Sequence, residues 1–100
     1  MMKKSDSFRD YVLEQLGQEA TCRAMFGGYG LYRGDRIFGI VFKGRLYFTT
    51  SPLTRPDYVK RGMTPFKPNA RQTLRSYYEV PVDVLENAET LRAWALRASS

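Results

Sequence analysis

The sequence predicts an α+β fold: a two-layer α/β sandwich in the order α-β-β-β-α-β-β-α, with an antiparallel sheet carrying its helices on one face. Three observations predict it. Apolar residues fall at helical spacing at both ends of the chain, and runs of branched and aromatic residues fill two stretches between them. Glycine or proline turns separate neighbouring runs by too few residues for a parallel crossover, so adjacent strands must pair antiparallel.

Residues 8–16 place Phe8, Tyr11, Val12 and Leu16 on one helical face. Ser7 stands as the expected N-cap, with Asp10 three residues on and Gly17 placed to end the helix. From Thr21 the pattern turns to strand, with Arg23, Met25, Tyr29, Leu31 and Tyr32 around Gly27-Gly28-Tyr29-Gly30. Three glycines in a strand-like stretch are expected to mark a bulge, a bend or the close approach of another backbone. The turn Arg33-Gly34-Asp35-Arg36 leads into Ile37–Phe42, apolar throughout and expected as a central strand buried on both faces. After a tight turn at Lys43-Gly44, residues 45–50 alternate: Leu46 and Phe48 on one face, Arg45, Tyr47 and Thr49 on the other.

Thr54-Arg55-Pro56-Asp57 reads as the start of a short helix, with threonine as cap and proline in the first turn. Gly62 stops it. Pro65-Phe66-Lys67-Pro68 is expected to be extended and at an edge, because neither proline can donate to a ladder. A loop at 69–72 precedes a strand over 73–80 that contains Tyr77 and Tyr78, and Pro81 ends it. A short helical turn at 83–85 precedes a helix over 88–98, where Leu91, Trp94, Ala95 and Ala98 share one face and Trp94 is the expected anchor. No repeat or linker-like run interrupts the chain, so one domain spanning 1–100 is expected, fraying at 1–5 and 98–100.

Composition narrows function mainly by exclusion. With no histidine, the commonest general base and metal ligand are missing, and the single Cys22 can form neither an intramolecular disulfide nor a multi-cysteine zinc site. A lone cysteine at a strand start reads as a small buried hydrophobe and not as a nucleophile. The ten acids sit singly and lack the spacing of a calcium loop. The glycine stretch matches neither dinucleotide nor P-loop spacing, and the chain continues from it as strand instead of opening a helix. The expectation is therefore no catalytic residue, no cofactor and no metal. Met1-Met2-Lys3-Lys4 is followed by polar residues, unlike an export signal, and the apolar runs are strand-sized. A cytoplasmic protein without a membrane association is expected.

The formal net charge is +6, and it is unevenly distributed. Residues 54–76 hold six basic groups, Arg55, Lys60, Arg61, Lys67, Arg71 and Arg75, against the one acid Asp57. Such a patch attracts nucleic acid or an acidic partner, though a solvated basic face is the plainer reading. Tyr29, Tyr32, Tyr47, Tyr77 and Tyr78 lie on expected strands near arginines. Small domains stack unpaired bases on such faces, and tyrosines also simply pack well in strands. A ligand pocket would need polar groups converging around Arg23 and Tyr29.

Arg23-Ala24-Met25-Phe26-Gly27-Gly28-Tyr29-Gly30, Leu46-Tyr47-Phe48, Gly62-Met63-Thr64-Pro65-Phe66, Ser76-Tyr77-Tyr78-Glu79-Val80-Pro81 and a closing helix with Trp94-Ala95 resemble the N-terminal domain of TfoX/Sxy proteins. The likeness runs from about Phe8 to Ala98. It implies a secretion-chaperone-like fold and a bacterial cytoplasmic relative of competence regulators, which promote transcription together with the cyclic-AMP receptor protein. Longer members carry a second, helical domain, whereas this sequence ends at Ser100, so a stand-alone domain is expected. The matching residues Arg23, Met25, Phe26, Gly27, Gly28, Gly30, Tyr77, Tyr78 and Pro81 then serve the backbone or a partner. The resulting expectation is a non-enzymatic regulatory domain that binds a protein of the transcription machinery. The alternative is direct nucleic-acid binding through 54–76, and homodimerisation through a free sheet face or edge stays open.

Overall fold

The computed structural model describes residues 4–25 and 27–99. Six strands form one antiparallel sheet in the order β1-β2-β3-β4-β6-β5, in which β1 is Thr21–Met25, β2 Gly28–Arg33, β3 Arg36–Phe42, β4 Arg45–Thr49, β5 Pro65–Asn69 and β6 Gln72–Glu79. The helices are α1 (Lys4–Leu16), α2 (Arg55–Val59), α3 (Val82–Leu85) and α4 (Ala88–Ala98). The α+β class and the succession of helical and strand regions are those the sequence predicts.

Two layers follow from strand alternation. Leu31, Phe38, Val41, Leu46, Phe48 and Val80 bury their side chains with Val12 and Leu16 of α1, Tyr58 of α2, Val84 and Leu85 of α3, and Leu91 and Ala95 of α4. The opposite face carries a second, smaller cluster of Ile40, Tyr47 and Phe66, bordered by Phe42, Leu74 and Tyr77. Among the described residues no helical side chain joins it. Residues 38–41 are indeed buried on both sides of β3. Phe38 and Val41 reach the same layer because Phe38 is the extra residue of a bulge against Leu31 and Tyr32.

Of the bulge, bend or close approach expected of the glycine stretch, the structure shows the last two. Gly27, at φ +83°, lies in the turn between β1 and β2, which pair antiparallel from Thr21↔Tyr32 to Met25↔Gly28, so the stretch forms two strands and not one. Gly28 is glycine for space. A Cβ there would sit 2.3 Å from the Val41 carbonyl oxygen. Phe26 lies outside the described residues.

Two expected caps also differ. α1 begins at Lys4, so Ser7 lies inside the helix, and Asp6 occupies the first turn, where its charge suits the helix dipole. Asp6 also accepts a short hydrogen bond from the Tyr29 hydroxyl, and Arg9 stacks on the same ring at 4.7 Å, fixing α1 to β2. Thr54 does precede α2, but its hydroxyl accepts from the Ser51 N–H (2.9 Å) instead of capping the helix. At the carboxy end, Asn87 caps α4 through Thr90 N–H (3.1 Å), and the Trp94 ring meets Tyr58 edge-on at 4.8 Å. β5, with its two prolines, is an edge strand as expected.

Candidate functional site

Two surfaces are left for recognition: the sheet face away from the helices, and a groove at the flank of α2. The first is built by residues alternating with the core. Arg23 pairs with Gly30 across β1 and β2, and its guanidinium stacks on Tyr32 at 4.8 Å. Gly30 leaves room for its neighbours, since a Cβ there would come within 2.9 Å of the Met25 sulfur. In the middle, Phe66 packs against Tyr47 (4.6 Å) and Phe42 (5.3 Å). Beside Phe42, a hollow of about 430 Å³ is lined by Pro68, Asn69, Gln72 and Leu74.

Charge is arranged around this apolar centre. Arg23 is exposed, Lys43 reaches over Phe42 at 5.2 Å, and Arg45 is paired with Glu79 at 3.0 Å across β4 and β6. Lys43 takes φ +49°, a left-handed turn conformation with Gly44, which carries the chain tightly from β3 to β4.

The groove is lined by Arg55, Pro65, Thr73, Arg75 and Tyr78 and has a volume of about 440 Å³. It brings together two of the six basic residues singled out from the sequence. Arg61 is otherwise engaged, bridging to Asp83 at 2.7 Å and stacking over Trp94 at 5.4 Å. Lys60 caps the end of α2, Lys67 lies on the edge strand β5, and Arg71 sits in the β5–β6 turn, where its N–H donates to Asn69 Oδ1. Segment 54–76 is thus spread over a helix end, an edge and a turn.

The motif residues divide in the same way. Gly27, Gly28 and Gly30 shape the β1–β2 corner, and Pro81 is buried ahead of α3, its carbonyl accepting from Val84 and Leu85. Tyr77 belongs to the open face and Tyr78 to the helix-covered face. Arg23 and Tyr29 lie on opposite faces, so polar groups do not converge on a pocket between them. Cys22 is half-buried against the core, a small apolar residue in its setting.

Burial raises the phenol pKa of Tyr58, Tyr47 and Tyr77 above the ordinary value. For Tyr58 the effect is largest, opposed by Arg97 and reinforced by Asp57. Because the folded state disfavours the phenolate, stability should be level below about pH 10, where the unfolded tyrosine is neutral, and should fall as pH rises above it. Denaturant titrations from pH 8 to 11 check this. Tyr58→Phe should make the alkaline fall shallower, and an unchanged slope would remove Tyr58 as its source.

Among the described residues no group of three His, Cys, Asp or Glu is placed to hold a metal ion, and no helix is long and apolar enough to cross a membrane. Fold and site together define a small α+β domain with a helix-backed sheet, an open aromatic face and a separate basic groove. The family model of the TfoX N-terminal domain matches residues 12–100, and the chain belongs to that family. It is a TfoX-like domain of regulatory kind. No curated protein matches the chain.

Proposed function

We propose that this chain is a non-enzymatic, cytoplasmic regulatory domain that acts by binding a protein of the transcription machinery through its open sheet face. The observation that carries this reading is the sheet face that no helix covers among the described residues, where half-buried Phe42, Leu74 and Tyr77 border the buried cluster of Ile40, Tyr47 and Phe66. Sheets of this kind usually hide one face and hydrate the other. Here the second face keeps Phe42, Leu74 and Tyr77 partly exposed around its buried centre, with charged residues at its rim, a composition suited to recognition. Arg23 and Lys43 face solvent beside it, with Glu79 held by Arg45, so the matching partner presents apolar side chains ringed by carboxylates. Family membership supports the regulatory setting.

Capture with the tagged domain from native extract, with and without nuclease and at two salt concentrations, tests the reading. A transcription protein retained through nuclease is the expected result. Recovery that vanishes with nuclease would shift the function to nucleic-acid binding, the second reading. Retention of a second copy of the chain alone would make the open face a homodimer interface.

A further inference from the structure

The groove beside α2 has features of a ligand site that the open face does not share. Arg55 is held in place: its Nε–H donates to Thr50 Oγ1 at 3.0 Å, and that hydroxyl donates to the Ser76 carbonyl at 2.8 Å. This chain fixes the guanidinium while using only one of its nitrogens, leaving the terminal amino groups for a ligand. The Arg75 side chain lines the same groove and makes no hydrogen bond or ion pair among the described residues. The acid nearest in sequence to Arg55, Asp57, is bonded to Arg97 at 3.0 Å. Two guanidinium forks are therefore presented to one space without a protein carboxylate between them.

We infer that this groove binds a small phosphorylated molecule of about nucleotide size, with its phosphate between Arg55 and Arg75. Planar guanidinium forks match phosphate oxygens in paired hydrogen bonds, and the Thr73 hydroxyl borders the same space. Pro65 and Tyr78 supply rigid apolar walls for the remainder of the ligand, and about 440 Å³ lies within the range of small-molecule sites. A polynucleotide is the poorer fit. Its backbone needs cations in series, whereas Arg61 is tied to Asp83, and Lys60 at the end of α2, Lys67 on β5 and Arg71 in the β5–β6 turn do not line the groove.

The test is a titration of the ¹⁵N-labelled domain with inorganic phosphate, with adenosine and guanosine monophosphates, and with oligothymidylates of increasing length. Saturable shifts confined to residues around the groove are expected with at least one mononucleotide, and inorganic phosphate should compete. Arg75→Gln should weaken binding roughly tenfold, the loss of one charge-assisted contact, and adding Arg55→Gln should weaken it roughly tenfold again. Arg75→Lys, which keeps the charge and loses the fork, should fall between. Arg75 is exposed and Arg55 half-buried, and melting curves verify that each variant is folded. No saturable shift, equal binding by Arg75→Gln, or affinity that rises with oligonucleotide length and is absent for mononucleotides would overturn the inference. Protein capture by the open face should be unchanged in these variants, so the two ideas fail separately.

Discussion

Gly28→Ala is expected to lower the folding free energy by about 3 kcal/mol, at the upper end of what overpacking costs. The added Cβ would lie 2.3 Å from the Val41 carbonyl oxygen and 3.2 Å from the Phe42 ring. Backbone cannot step aside as a long side chain can. β2 and β3 would have to part beside the β1–β2 corner, disturbing Leu31 and Val41 in the main core. In a domain of this size that corresponds to a drop in melting temperature of roughly 12–24 °C. Gly34→Ala is the matched control: Gly34 takes φ +60° but has nothing within 4 Å, so only backbone strain of about 1 kcal/mol applies. Chemical denaturation of the two variants checks the order, and a Gly28→Ala domain as stable as Gly34→Ala would show that the close approach is not structural.

The second large effect concerns binding. Arg23→Glu combined with Leu74→Asp should weaken capture of the protein partner by about thirtyfold, the loss of about 2 kcal/mol expected of a central contact. Arg23 is exposed and Leu74 lines the hollow beside Phe42, so one change reverses charge at the rim and the other places a carboxylate in the apolar centre. The thermal melt reports separately on folding. Leu96→Asp, at an exposed position of α4, should leave capture intact. Equal capture by all three proteins would remove the open face from the account.

Much of this architecture was legible because periodicity reports which face of an element is buried. The α4 stripe of Leu91, Trp94 and Ala95 and the alternation of Leu46 and Phe48 are both direct consequences of packing against one layer. The β1–β2 corner was not legible. Gly27 and Gly28 interrupt a stretch whose apolar and aromatic residues continue on either side, so a bulge and a hairpin have the same local pattern. Only the pairing of Arg23 with Gly30 and of Tyr29 with Val41 decides between them.

The site was less readable than the fold for a related reason. Charge counted along the chain grouped Arg55, Lys60, Arg61, Lys67, Arg71 and Arg75, but a surface is grouped by space. β6 returns beside β4 and brings Arg75 to Arg55, while Arg61 turns to Asp83 and Trp94. The open face was foreshadowed by Tyr47 alternating with Leu46 and Phe48, and by Phe42 at the end of β3. Its extent depends on strand order, since Phe66 of the edge strand packs against Tyr47 two strands away.

The most direct measurement is site-specific photo-cross-linking in living cells, with the photoreactive residue placed in turn at Tyr32, at Leu74 and at Leu96. A discrete cross-linked product with one transcription protein is expected from Tyr32 and Leu74 and none from Leu96. Products from Leu96 alone, or none from the two sheet positions, would contradict it.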